Sequence, residues 1–173
     1  MTDVRRCTEC GQPQYETRES VPYPESGLDN VQLINAPVWI CDNGHRELEI
    51  PAVQELHNLL ANMIVRQPAA LTGRDVRFLR KRVGLTARQY AARIGRTPEW
   101  ISQVENGHAP IDRANDLLFR LSLGVLVAAK SGVSADDLAP LVDELEHVMN
   151  IGSHRVRHNE NASPQHEWEA APA

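Results

Sequence analysis

The sequence predicts an α+β fold, with a small β-rich N-terminal domain tied by a metal and an all-α domain behind it. Three observations predict it. Metal-ligating side chains fall in two tight turns, CTECG at residues 7–11 and CDNGH at residues 41–45. An alternating apolar stretch, NVQLINAPVWIC, lies between them. From residue 72 onward, apolar residues recur at helical spacing between start and stop signals.

With 173 residues the chain holds one good-sized domain or two small ones. No run approaches the roughly 18 apolar residues that span a bilayer, and MTDVRRCTECG lacks the apolar core of a signal peptide. The expected location is the cytoplasm, where disulfides are rare. Three cysteines, two of them in Cys-x-x-Cys, then favour metal or redox chemistry over a disulfide framework. Charge is unevenly spread. Residues 1–65 carry 4 basic and 10 acidic side chains, residues 66–130 carry 12 and 5, and residues 131–173 carry 2 and 8. A basic middle between acidic flanks suits a segment that meets phosphate.

Along the chain, Val31, Leu33, Val38 and Ile40 alternate with other residues and are bounded by YPESGLDN, which reads as short strands joined by turns. Pro51 can open a helix, and Val53, Leu56, Leu59, Leu60, Met63 and Ile64 give that helix its apolar positions. QPAALTG interrupts the pattern and reads as a hinge. In the next helix Val76, Leu79 and Val83 form a stripe that Gly84 stops. Thr86 caps a further helix with Tyr90, Ala91 and Ile94 inward. Gly95 turns the chain. Thr97 caps another, with Pro98 at its first position, Ile101 and Val104 buried, and Asn106–Gly107 as its end. A longer helix from Asp112 to Lys130 is apolar enough for both core and partner surface. SGVSADDLAPLVDELEHVM suggests one more amphipathic helix. The expected division is therefore a zinc-finger domain with its linking helix over 1–66, a helix-turn-helix domain over 70–130, a C-terminal helix over 131–150 and a disordered tail over 151–173.

A structural zinc ion takes four S or N ligands in a tetrahedron. Cys7 and Cys10 supply two thiolates from one turn, Cys41 supplies a third, and His45 is the fourth candidate. The imidazole reaches farther than a thiolate, so the longer Cys-x₃-His spacing is tolerable. Asp42 is the weaker candidate for the fourth place. A redox Cys-x-x-Cys would want a helix N-terminus in a βαβ setting, which the sequence does not show.

The segment GLTARQYAARIGRTPEWISQVENG predicts two short helices crossing at a steep angle, with small Ala91 at the contact. Ile101 and Val104 pin the second helix, which leaves Thr97, Pro98, Glu99, Ser102 and Gln103 outward. A helix presented this way enters the major groove and reads base edges. Gln103 can pair bidentately with adenine. Glu99 either accepts from cytosine N4 or repels phosphate. Thr97, Ser102 and Asn106 are phosphate or base contacts, and Thr86 and Gln89 belong to the same DNA-facing set. Arg88, Arg96 and Arg113 are phosphate clamps. Trp100 packs either on a sugar-phosphate edge or in the core.

Over about 55 residues this pattern resembles the Xre/Cro repressor-type, lambda-repressor-like helix-turn-helix. The matching residues run G-L-T, then T-P-x-x-I-S-x-V-E-N-G. The resemblance implies a structural role for Glu105. Where that family often has Gln after the cap, this chain has Ala87, so the contact falls to Arg88 or Gln89. The order of two knuckles, a linking helix and this motif resembles the MqsA-type antitoxins, whose N-terminal part is a YgiT-type zinc finger. It departs from them at His45, which replaces a cysteine, and in the length that follows the motif. The resemblance implies a zinc-stabilised domain that binds a toxin, and a dimerising domain that represses its own operon at a palindromic operator. A free-standing homodimeric regulator carries the same motifs. Four ligands at knuckle spacing close the coordination sphere, and no enzyme or membrane role is expected. His57 and the histidines of the tail read as solvated.

Overall fold

The computed structural model describes residues 5–131 and the backbone of two short strands beyond them, β4 (Val156–His158) and β5 (Trp168–Ala170), which pair antiparallel. The expected C-terminal helix and the rest of the tail lie outside the described residues.

The front of the chain is a three-stranded antiparallel sheet in the order β1 (Gln14–Pro22), β2 (Gln32–Cys41), β3 (Arg46–Leu48). The register runs from Gln14 opposite Cys41 to Pro22 opposite Gln32, with a shift between Glu19 and Val21. The stretch expected as short strands is one continuous strand, β2. It carries an irregularity at Asn35, where φ is 56°. Val38 sits opposite both Thr17 and Leu48 and is buried.

Five helices follow: α1 (Val53–Arg66), α2 (Gly73–Arg82), α3 (Ala87–Arg93), α4 (Pro98–Glu105) and α5 (Arg113–Ser131). Local sequence dictates most of their boundaries. Thr72 and Thr86 each accept from the backbone N–H three residues on, Asp75 and Gln89, whose side chains accept from the cap N–H in return. Thr97 accepts from Trp100 N–H at 3.2 Å, with Pro98 at the first position. Asp112 accepts from Asn115 N–H at 2.7 Å ahead of α5. Pro51 lies in the turn before α1 rather than in its first turn, and Ala52 takes a φ of 50° there.

One core cluster runs through all five helices and takes in Tyr23 and Leu28 from the loop between β1 and β2. Tyr90, Phe119, Leu79, Ile101 and Leu123 are its largest fully buried side chains. Within α1, Leu60, Ala61, Ile64 and Val65 enter this core, whereas Leu59 and Met63 stay more than half exposed at 58 % and 59 %. The segment expected as a hinge is held. Arg120 donates to the carbonyls of Val65 at 3.0 Å, Gln67 at 2.7 Å and Ala69 at 2.5 Å, and Leu71 N–H donates to Asp116 at 2.6 Å. His57, expected to be solvated, is instead half-buried. Its Nε2 lies 3.0 Å from the Tyr23 hydroxyl and its ring meets Phe78 edge-on. Burial, and then the Arg82 charge, lower its pKa. Among the described residues no helix is long and apolar enough to cross a membrane.

Candidate metal centre and nucleic-acid interface

The four candidate metal ligands converge as the spacing predicts. Cys7 and Cys10 stand on the turn before β1, Cys41 closes β2, and His45 immediately precedes β3. Each knuckle is a tight turn. Gly11 N–H donates to the Cys7 carbonyl at 2.9 Å and Gly44 N–H to the Cys41 carbonyl at 2.8 Å. Both glycines take left-handed φ, 70° and 80°, which a side chain resists. The four ligand atoms all lie within 4.8 Å of one another. Cys10 Sγ is 3.7 Å from Cys41 Sγ, and Cys7 Sγ is 3.5 Å from His45 Nδ1. A tetrahedron with zinc–sulfur bonds of about 2.3 Å and zinc–nitrogen bonds of about 2.0–2.1 Å has edges of roughly 3.8 Å and 3.6 Å. The Cys10–Cys41 and Cys7–His45 separations are close to those edges, and the quartet as a whole spreads to within 4.8 Å. They are also far too long for a disulfide, at about 2.05 Å, and all three cysteines are free.

Surrounding groups set the chemistry of the ligands. The Gln12 backbone N–H, helped by Asn43, Cys7 and Cys41, lowers the Cys10 pKa against a smaller effect of burial. Burial raises that of Cys41, against backbone N–H groups of His45 and Asn43. With Nδ1 turned to Cys7, His45 directs Nε2 toward the Glu9 carboxylate at 3.5 Å. A carboxylate on the far ring nitrogen fixes the tautomer of a ligating histidine. Asp42 is engaged elsewhere and accepts from the Tyr15 hydroxyl. Glu47 fastens the first knuckle to β3. It accepts from Thr8 Oγ1 at 2.7 Å, from Thr8 N–H at 3.0 Å and from Arg5 at 3.1 Å. These bonds, with Thr8 the largest influence, hold its carboxyl down at about 2. The cluster can hold one soft or borderline divalent metal in a closed site.

At the other end, α4 shows two contrasting faces. Ile101, Val104 and Glu105 are buried, while Thr97, Glu99, Ser102, Gln103 and Asn106 are exposed and Pro98 is half-buried. The α3–α4 turn passes through Gly95. Behind the turn, Arg96 N–H donates to the Ala91 carbonyl at 2.9 Å. Thr86, Arg88 and Gln89 are exposed at the start of α3, and Arg113 is exposed at the start of α5. Several of these side chains already have work. Gln89 completes the Thr86 cap, and the Asn106 amide donates to the Ser102 carbonyl at 2.8 Å. The Arg96 guanidinium donates to Asn115 at 3.1 Å and lies 5.0 Å from the Trp100 ring centre. Trp100 packs toward the core, its ring 5.7 Å from that of Phe119.

The structural role expected of Glu105 has its partner in Arg80, which the sequence reading did not single out, and Gly73 also escaped it. Arg80 and Glu105 form a buried pair that fixes the end of α4 to α2. A Cβ on Gly73 would lie 2.0 Å from the Val104 carbonyl oxygen, so α2 starts against the backbone of α4 only because residue 73 has no side chain. For Arg80 a signal was present, since it shares the helical stripe of Val76, Leu79 and Val83.

No curated protein and no solved structure matches the chain. Residues 72–118, from the cap of α2 into α5, match the family model described as Helix-turn-helix domain. The basic middle of the chain thus carries a helix-turn-helix domain, and the function class to which this points is DNA binding and transcription regulation.

Proposed function

We propose that this protein is a sequence-specific transcriptional repressor that lays α4 in the major groove and whose front end is braced by structural zinc. The observation that carries the reading is the division of α4 between a face locked by Ile101, Val104 and Glu105 and an outer face bearing Glu99, Ser102 and Gln103. In this reading Gln103 pairs with adenine, and Glu99 takes cytosine N4 or excludes a mismatched site. Thr97, Pro98, Ser102 and Asn106 line the groove. Thr86, Arg88, Gln89, Arg96 and Arg113 meet the sugar-phosphate backbone. The protein acts as a homodimer on a palindrome with half-sites about one helical turn, roughly 34–36 Å, apart. Cys7, Cys10, Cys41 and His45 hold Zn2+, which supplies folding energy to a sheet too small to stand by itself. Gln103→Ala is expected to lose about 1–3 kcal/mol of discrimination at one base position, with salt-dependent non-specific binding retained. Binding-site selection on random duplexes reads this, and an unchanged preferred sequence overturns the assignment of α4.

The finer proposal is that the protein is an antitoxin that represses its own operon. Its support is the resemblance in domain order and the acidity of residues 1–65, with 10 acidic against 4 basic side chains, which suits a basic toxin. Co-purification with the product of the neighbouring gene tests it. A protein that emerges alone, while still binding its operator, is a free-standing regulator.

A further inference from the structure

A cleft of about 830 Å³ opens where the loop leaving β1 meets the helices. That size lies within the roughly 300–1,000 Å³ of small-molecule sites. Its walls include Glu25 on the loop, His57 on α1, Arg77, Phe78 and Lys81 on α2, and Asn106 after α4. Most of the other charges there are satisfied. Arg74 pairs with Asp29, Glu105 with Arg80, and Arg82 donates to Gln54 and Asn58. Arg77 and Lys81 are exposed, one helical turn apart, and neither side chain makes a hydrogen bond or ion pair within the described residues. Two unpaired cations on adjacent turns suit a dianion, and the guanidinium fork suits phosphate oxygens. Beside them His57 and Phe78 meet edge to face at 5.8 Å, forming an aromatic wall. Glu25 and Asp29 on the loop side discourage a polyanionic strand from entering, while a carboxylate accepts readily from a hydroxyl or an amine.

We infer that this cleft binds a small organic phosphate, with its phosphoryl group between Arg77 and Lys81, its planar body against Phe78 and His57, and a donor of that body on Glu25. The site borders the outer face of α4 only at Asn106, and its ligand is held by α1, α2 and the loop, so its test needs no DNA. Calorimetric titration of the full-length protein with inorganic phosphate and with adenosine monophosphate reads it. Both probes are expected to bind, the nucleotide more tightly. Arg77→Ala/Lys81→Ala is expected to weaken the nucleotide by at least about tenfold with an unchanged melting temperature, because both side chains are exposed. Arg18→Ala, on β1 and paired with Glu16, is the charge control and leaves the affinity as it was. Absence of heat from either probe at millimolar concentration overturns the inference, and so does equal nucleotide affinity in the double variant. A wild type that binds neither probe, yet whose melting temperature falls in the double variant, would show the cleft filled by the chain's own acidic residues and likewise overturns it.

Discussion

Arg80 and Glu105 meet in a two-bonded ion pair inside the helical core, Nε to Oε1 at 2.5 Å and NH2 to Oε2 at 2.8 Å, with side chains only 9 % and 6 % exposed. The remaining nitrogen of Arg80 donates to the Leu85 carbonyl at 2.6 Å. One guanidinium therefore joins α2, the turn before α3 and the last residue of α4. The pair fixes α4 from the face opposite Glu99, Ser102 and Gln103.

Removing one partner leaves the other charge buried and alone. Glu105→Ala is expected to cost about 3–5 kcal/mol in chemical denaturation. Replacing both residues, Arg80→Met with Glu105→Leu, should recover most of that loss, because a well-packed apolar pair avoids desolvating two ions. A double variant no more stable than Glu105→Ala would mean that the Arg80 bond to Leu85 matters more than the ion pair.

At the other end of the chain, removal of the proposed metal is expected to separate the two halves of the fold. The candidate ligands lie on the knuckles and at the end of β2, whereas the helical core takes Tyr23 and Leu28 from the front segment, with Val31, Leu33 and Ile50 packed against it. A strong chelator is expected to abolish the sheet signals in an NMR spectrum while those of α2 to α5 persist. His45→Ala should lose the metal by elemental analysis, and His45→Cys should keep it, since four thiolates also make a closed tetrahedral site. Full metal content in His45→Ala would remove the imidazole from the ligand set.

How far the sequence disclosed this arrangement depended on the range of each signal. Caps and stops act within one turn, so Thr86, Thr97, Pro98 and Asn106 were readable. The clustering of Cys7, Cys10, Cys41 and His45 was readable because metal chemistry restricts residue type and spacing. Strand β1 was not, since QYETRESVP alternates weakly and draws its order from β2 opposite. Arg80 and Arg120 were missed for a different reason. Each occupies a core position of an apolar stripe, and its partners are 25 and about 50 residues away, on elements that only the fold brings near.

Arg120 makes the connection between α1 and the helix-turn-helix a fixed joint. Its side chain is 5 % exposed and satisfies three carbonyls between Val65 and Ala69 besides its pair with Asp116 at 2.8 Å. Arg120→Met keeps the length but takes the guanidinium from those carbonyls and the cation from Asp116, which retains only the Leu71 N–H. The expected cost is about 3 kcal/mol or more. Limited proteolysis should then cut within residues 66–71, where the wild type resists. Equal resistance in both proteins would show that Leu71 and Asp116 alone hold the joint.

Tyr90 gives the fold an alkaline limit. Its ring is fully buried against Phe119, and its hydroxyl shares a hydrogen bond of 2.8 Å with Ser122. Burial is the main cause that pushes its pKa from 10.0 up to about 12, with the Glu105 charge adding to it and Ser122 opposing. The folded-state value is the raised one. The unfolded chain therefore loses this proton first, and the contribution to stability is complete below pH 10 and disappears as pH climbs toward 12. A shift of this size corresponds to about 2–3 kcal/mol across that window. Tyr90→Phe is expected to cost about 1 kcal/mol at neutral pH through the lost hydrogen bond. Its stability should then fall less steeply than that of the wild type between pH 10 and 12. Parallel pH profiles of the two proteins, measured by denaturant titration, would mean that the alkaline loss arises at other groups and that Tyr90 ionises in the folded state as readily as in the unfolded chain.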